Sequence, residues 1–195
     1  MEDLVKIKIK KVLGPTQTGT AVLLGNDDKT FVMFIGHYEG AAIIREINGE
    51  TPPRPLTHEL ISYVFAGFNI EVKHIVISDI INNTFCATLV LEQKVVDANE
   101  EWVGKRNEVR IDARPSDCLV IALKEKKDIY CTPSVLEKVR DVSEEIGLSE
   151  KDGVKSEEDE DGLSFTKPDF LNQKWDEIDL NVDSDKDIED EERGE

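Results

Sequence analysis

Hydrophobic and polar residues alternate along several stretches of the chain, as they do in strands with one buried face. Near the start, Val5, Ile7 and Ile9 lie between lysines, which suits an edge or solvent-facing strand. The pair Asn82-Asn83 predicts a tight turn between two later strands. Alternation or a short apolar run predicts strands at residues 4–13, 21–24, 31–35, 70–80, 85–91, 107–112 and 129–131.

Helical patterns lie between the predicted strands. They are expected at residues 39–47, at 58–66 after an N-cap at Thr57, from Pro115 onwards, and from Pro133 to near Gly147. Residues 97–105 read as a polar loop. Paired strands with helices between the pairs predict an α+β domain with a mixed β-sheet.

The apolar pattern ends near residue 149, and charge changes there as well. Residues 141–195 hold 22 acidic and 6 basic residues, whereas residues 1–140 hold 20 and 18, so the net charges are −16 and −2. We therefore expect a single domain over residues 1–147 and an acidic, largely disordered extension over residues 148–195. Within the extension, residues 165–178 carry spaced aromatic and apolar side chains. They predict a segment that either docks on its own domain or recognises a protein partner.

The cysteines and the lack of long apolar runs in the sequence indicate where in the cell the protein is expected. Cys86, Cys118 and Cys131 lie in apolar surroundings without a CxxC pair, so we expect buried thiols rather than a zinc cluster. No secretory signal is apparent, and no apolar run approaches the roughly 18 residues that span a bilayer. We expect a cytoplasmic protein without a membrane partner.

The richest local chemistry lies where a strand runs into Arg114-Pro115-Ser116-Asp117 and then into an apolar stretch. Pro115 suits the first turn of a helix, and Ser116 and Asp117 can satisfy its unpaired N–H groups. One interpretation is a well-capped core helix in which Arg114 bridges to a carboxylate. The other is a functional site, which requires support from elsewhere in the chain.

Two further segments supply that support: residues 35–41, Ile-Gly-His-Tyr-Glu-Gly-Ala, and residues 52–60, Pro-Pro-Arg-Pro-Leu-Thr-His-Glu-Leu. With the Asp-Ala-Arg-Pro-Ser-Asp block at 112–117, they occur in the order found in the bifunctional nuclease family. The chain resembles that family over roughly residues 4–140. It departs at Gly40 and Cys118, where alanine is usual. The resemblance implies a nuclease acting on RNA and DNA, and a homodimer.

The three blocks contain the residue types that phosphodiester hydrolysis needs, at element ends that can converge on one edge of the sheet. Arg54 and Arg114 can grip phosphate oxygens as substrate-binding residues. The carboxylates could hold a divalent cation, Mg²⁺ or Mn²⁺, and histidines could move protons. The catalytic candidates are His37, Glu39, His58 and Asp117. The metal-ligand candidates are Glu39, Glu59, Asp112 and Asp117.

Each candidate also has a structural explanation. His58 can be a hydrogen-bonded surface residue, and Glu39 can favour its own helix N-terminus. Each arginine can pair with a buried carboxylate such as Asp79 or Asp117. The nearly neutral domain also lacks the broad basic surface typical of nucleic-acid-binding proteins. The alternative to a nuclease is therefore a non-catalytic module that binds a small anion or another protein with the same residues.

Overall fold

The computed structural model describes residues 3–15, 19–96 and 102–144. This part of the chain forms seven strands and four helices. In chain order they are β1 (Val5–Leu13), β2 (Thr20–Gly25), β3 (Thr30–Ile35), α1 (His37–Ile47), α2 (Thr57–Gly67), β4 (Ile70–Ile81), β5 (Thr84–Val96), β6 (Trp102–Ala113), α3 (Pro115–Lys124), β7 (Ile129–Cys131) and α4 (Pro133–Lys138).

All seven strands belong to one mixed sheet with the order β3-β2-β1-β7-β4-β5-β6. Consecutive strands form two antiparallel meanders, β1–β3 and β4–β6. The short strand β7 lies between the two meanders and joins them. It pairs antiparallel with β1 and parallel with β4. The α+β fold with a mixed sheet built from paired strands is confirmed.

The helices cover one face of the sheet and create the main core. Ile43 of α1, Leu119 of α3 and Ile75 of β4 are completely buried there. Burying each such side chain contributes about 1.5–3 kcal/mol relative to leaving it in water. A smaller cluster formed by Leu13, Ala21 and Leu23 lies on the other face of the β1–β3 meander.

The sheet curls, so that strands far apart in the strand order approach each other. Phe31 of β3 stacks on Phe85 of β5 with ring centroids 5.8 Å apart, although four strands separate β3 from β5 in the sheet. Two left-handed residues, Asn82 and Asn83, form the tight turn between β4 and β5 beside this contact. This curling produces the groove described below.

Three details of the predicted elements are wrong. The strand β6 begins at Trp102, inside the stretch expected to be a loop, because it continues its pairing with β5. The N-cap of α2 is Leu56 rather than Thr57, and the Glu59 carboxylate accepts a hydrogen bond from the Leu56 N–H at 2.8 Å.

The third difference concerns α4, which ends at Lys138 instead of near Gly147. Val139 is extended, and the chain then joins the start of β3. There the Val142 N–H donates to the Thr30 carbonyl at 2.9 Å, and Asp141 accepts from the Thr30 N–H at 3.1 Å. The proposed boundary at residue 147, the acidic extension and the 165–178 segment lie outside the described residues. None of the described helices is long and apolar enough to cross a membrane.

Candidate functional site

A groove of about 700 Å³ lies where the two ends of the curled sheet approach each other. One wall is the end of β3 with Phe34 and Gly36, and the other is the β4–β5 turn with Asn83. The junction between β6 and α3 closes it with Asp112, Arg114 and Ser116. The groove therefore contains most of the 112–117 motif, which lies at the start of α3, and Gly36, the N-cap of α1.

The local sequence explains how α3 opens onto the groove. Arg114 is its N-cap with extended backbone angles, and Pro115 is the first helical residue, whose missing N–H would be unpaired there in any case. Ser116 is only 3% exposed although it lines the groove. The first turn thus presents backbone N–H groups and the positive end of the helix dipole near Arg114.

Arg114 forms an ion pair with Glu39 of α1, and their nitrogen and oxygen atoms are 2.5 Å apart. The arginine side chain is nevertheless 66% exposed. The Glu39 carboxylate lies over Gly36, where an added Cβ would come within 2.2 Å of its Oε2 atom. A backbone hydrogen bond at the helix start, followed by Arg114, lowers the pKa of Glu39. Glu39 therefore stays ionised and holds the guanidinium at the groove.

His58 and Asp117 form a second contact, between α2 and α3. His58 Nε2 lies 3.1 Å from Asp117 Oδ1, and the histidine side chain is 17% exposed. A carboxylate that accepts one ring N–H of histidine fixes the tautomer and leaves the other nitrogen as a base. Asp117 directly follows Ser116 of the groove wall along α3, but neither Asp117 nor His58 is among the residues that line the groove.

Glu59 occupies a different, structural environment. Lys124 at the end of α3 lies 2.8 Å from Glu46 of α1 and 3.1 Å from Glu59. Burial alone would raise the pKa of Glu59, but the Leu56 N–H and Lys124 outweigh it and lower this pKa. Glu59 is 8% exposed. The three charges bind α1, α2 and α3 together.

The remaining predicted site residues are exposed. His37 is the first residue of α1 and directly follows Gly36, and Arg54 lies in the proline-rich loop before α2. Asp112 lies at the end of β6 and lines the groove. Within the described residues, no three His, Cys, Asp or Glu side chains are grouped so that they could hold a metal ion. The proposed ligands Glu39, Glu59, Asp112 and Asp117 thus do not fit one metal centre, because Arg114, Lys124 and His58 already engage three of them.

Both residues that depart from the family pattern, Gly40 and Cys118, are buried. A Cβ at Gly40 would come within 2.1 Å of Thr20 Oγ1 and 2.4 Å of Thr20 Cβ, so the threonine fills the space that an alanine at this position would need. Cys118 is fully buried, and burial followed by Asp117 and Asp112 raises the pKa of its thiol to about 12. Cys118 is therefore an inert core residue.

Sequence reasoning did not select several residues of the groove. Phe34, Asn83, Thr84 and Cys86 line it, and they come from a strand, a turn and the start of the next strand. No motif in the sequence links them, because only the curling of the sheet brings them opposite Arg114. The Asn82-Asn83 pair predicted the turn between β4 and β5, but it did not predict which residues lie across the groove from that turn.

Comparisons with known proteins agree with the three sequence blocks. A family model described as the bifunctional nuclease domain matches residues 22–144. Two uncharacterized proteins of Mycobacterium tuberculosis, from two strains, are each 35% identical to the chain over 111 residues. These matches cover 57% of this chain and 59% of each relative, so the chain spans about three fifths of the length of the curated relatives it matches.

Proposed function

Because the chain belongs to the bifunctional nuclease domain family, we propose that it hydrolyses phosphodiester bonds of RNA and DNA at the groove beside α3. The observation that carries this proposal is the His58–Asp117 contact of 3.1 Å, one residue along the chain from the groove wall. It supplies an oriented histidine for general-base catalysis, and Arg114, the N-cap of the helix that carries Asp117, supplies an exposed guanidinium.

In this proposal Arg114 binds the phosphate that is attacked. Its guanidinium and the N–H groups at the start of α3 would stabilise the negative charge that develops on the phosphate oxygens. Glu39 positions Arg114 rather than accepting a proton, since its lowered pKa makes it a weak base. Arg54, exposed in the loop before α2, is the candidate contact for a neighbouring phosphate.

His58 would act as the general base. With its Nε2–H donated to Asp117, its Nδ1 can take a proton from a water molecule as that water attacks phosphorus. Water as the nucleophile serves RNA and DNA equally, because the reaction then needs no 2′-hydroxyl. His37, next to Gly36 of the groove wall, is the candidate acid that protonates the departing oxygen.

The second candidate function is a non-catalytic module that binds a small anion. It is supported by the Glu39–Arg114 pair, in which a carboxylate already occupies the guanidinium beside the groove. An anionic ligand would replace Glu39 at Arg114. The two functions differ in what they require of His58: binding does not need it as a base, whereas hydrolysis does.

We also propose a homodimer through the outward face of α2. Leu56, Leu60, Tyr63, Val64 and Phe68 are exposed and spaced along that one face. A second copy could cover this apolar surface, which is otherwise unfavourable in water. Sedimentation of the wild-type protein and of Tyr63→Asp tests the interface, because a buried charge there should separate the subunits.

The decisive experiment compares His58→Gln with His74→Gln on single-stranded RNA and DNA. His74 lies on β4 and contacts Tyr130 edge-on, outside the groove, so it is a matched histidine control. Loss of a general base typically lowers the rate about 10²–10⁴-fold. We expect His58→Gln to lose that much cleavage at unchanged affinity, and His74→Gln to cleave normally.

A parallel series with EDTA measures any dependence of cleavage on a divalent cation. Cleavage by His58→Gln at the wild-type rate would contradict the proposal.

A further inference from the structure

A carboxylate of the chain itself lies against Arg114, the residue to which the proposed function assigns a phosphate. One oxygen of Glu39, Oε1, lies 2.5 Å from a guanidinium nitrogen of Arg114. The other, Oε2, lies over Gly36 at the start of α1. A guanidinium and the N-terminal end of a helix both attract negative charge. Its own backbone N–H and Arg114 lower the pKa of Glu39, which shows that both surroundings act on this carboxylate.

The sequence around Glu39 explains how its side chain reaches this position. Gly36 is the N-cap of α1, so Glu39 is the third helical residue. A glutamate at the third position can turn back towards the start of its own helix. Gly36 leaves the space for it: the three atoms nearest to a Cβ added there all belong to the Glu39 side chain, and Oε2 would be only 2.2 Å away. The spacing of Gly36 and Glu39 therefore permits the contact with Arg114.

The contact between Glu39 and Arg114 can open. The Arg114 side chain is 66% exposed and the Glu39 side chain 21% exposed. Ion pairs that water reaches contribute little, so separating this one should shift a binding equilibrium by no more than about fivefold. The carboxylate thus occupies the guanidinium without excluding another anion from it.

A tethered carboxylate competes with every anion that approaches Arg114. Because both groups belong to one chain, the carboxylate is always present at a high effective concentration. It lowers the affinity of all anions for Arg114 by the same factor. A small anion that contacts Arg114 alone has nothing to offset this loss. A phosphate in a longer ligand can gain further hydrogen bonds along the groove, from Asn83, Thr84 and Ser116.

We propose that Glu39 is an internal competitor at Arg114: its carboxylate is displaced when a phosphate binds, and Gly36 makes its competing position possible. This inference rests on the proposed function, because it describes the regulation of the same site. It requires only that Arg114 binds phosphate, a role that the nuclease and the anion-binding module share. Glu39 then restricts the site to ligands with several contacts, in addition to orienting the guanidinium.

The test measures binding of a short, fluorescein-labelled single-stranded DNA with phosphorothioate linkages by fluorescence anisotropy. Full-length wild type is compared with Glu39→Gln, Arg114→Ala and the double variant. Glutamine keeps the shape of Glu39 without its charge, so we expect Glu39→Gln to bind about threefold to fivefold more tightly. In the Arg114→Ala background the same substitution should change affinity little, because the competition takes place at Arg114. A general repulsion between Glu39 and phosphates would instead give the same gain in both backgrounds.

A second variant, Gly36→Ala, displaces the carboxylate without changing the charge of the protein. Gly36 has φ −65° and ψ 165°, which alanine adopts without strain. The new Cβ meets the end of a flexible side chain, so Glu39 can move while the fold is kept. Gly67→Ala is the matched control, because a Cβ there meets nothing within 4 Å. We expect Gly36→Ala to gain affinity as Glu39→Gln does, and Gly67→Ala to bind like the wild type.

Unchanged, weaker or undetectable binding by Glu39→Gln would overturn the inference, and so would an equal gain in the Arg114→Ala background. Wild-type affinity of a folded Gly36→Ala would overturn it as well. Thermal unfolding verifies the fold of each variant, and the cycle of Glu39 and Arg114 decides alone if Gly36→Ala does not fold. If His58→Gln loses cleavage while Glu39→Gln binds like the wild type, the nuclease proposal stands and this inference fails. If Glu39→Gln gains affinity only in the presence of Arg114 while His58→Gln cleaves at the wild-type rate, this inference stands and the nuclease proposal fails.

Discussion

Replacing Lys124 by Met separates a structural role of Glu59 from a role as a metal ligand. The Lys124 ammonium lies 2.8 Å from Glu46 and 3.1 Å from Glu59, and the substitution leaves both carboxylates without their cation. Breaking a buried ion pair on one side costs about 3–5 kcal/mol. We expect about 3 kcal/mol here, at the lower end of that range, because 21% of the Lys124 side chain contacts water. For a domain of this size that corresponds to a fall in Tm of about 6–12 °C.

The assay is thermal and urea unfolding followed by circular dichroism, with Lys6→Met as the matched control. Lys6 pairs with Asp128 at 2.7 Å, but both side chains are about half exposed or more, so its loss should leave Tm unchanged. Lys124→Met with wild-type stability at neutral pH would refute the structural role and return Glu59 to the candidate metal ligands.

The pH dependence gives a second check on the same variant. The pKa of Glu59 is lowered from 4.5, so its contribution to stability is present above that value and is lost as the pH falls through the lower, folded-state pKa. The pKa of Lys124 is raised from 10.5, so its contribution is present below that value and is lost as the pH rises through the higher pKa. The difference between wild type and Lys124→Met should thus be largest between these limits and shrink in acid. A difference that grows on acidification would contradict this explanation.

Three further predictions concern the groove. Arg114→Ala should bind a short oligonucleotide about 10-fold more weakly, as measured by fluorescence anisotropy, with little change in Tm. Its side chain is 66% exposed in the pair with Glu39, and exposed pairs contribute only about 0–1 kcal/mol. Cys86 lines the groove, whereas burial raises the pKa of Cys131 to about 11, so maleimide labelling followed by mass spectrometry should modify Cys86 first and bound oligonucleotide should protect it. Removing residues 149–195, whose charge opposes phosphate, should leave Tm within a few degrees and raise oligonucleotide affinity, with a gain that shrinks as salt increases.

Local signals made the elements predictable. Alternation identified β1 and β4, the Asn82-Asn83 pair identified the turn after β4, and Pro115 marked the start of α3. The end of α4 was not predictable in this way, because the chain leaves the helix to bind Thr30, more than 100 residues earlier. The N-cap of α2 was not predictable from residue type either. It is Leu56, whose N–H donates to the carboxylate of Glu59 within the helix.

The site residues were predictable as residue types in three blocks, but their pairing was not. Glu39 and Arg114 are 75 residues apart in the sequence, and His58 and Asp117 are 59 apart. The side-by-side packing of α1 and α2 against α3 decides these pairs, and no spacing in the sequence encodes it. The same packing brings Glu59 to Lys124, although Glu59 directly follows His58 in the sequence. Two neighbouring residues of one motif thus have different roles.

The sequence offered two interpretations of Arg114, a bridge to a carboxylate or a functional group, and the geometry makes them compatible. Arg114 does bridge to Glu39, yet its side chain stays 66% exposed at the edge of the groove. An exposed pair of this kind contributes at most about 1 kcal/mol, so a phosphate can take the place of Glu39 at little cost. Before a phosphate binds, the Glu39 carboxylate holds the Arg114 guanidinium in a fixed orientation. A buried pair, like that of Lys124 with Glu59, could not exchange partners in this way, because separating it would leave a charge without a partner inside the protein. The difference in exposure between the two pairs is therefore the physical reason why we propose a binding role for Arg114 and a structural role for Lys124.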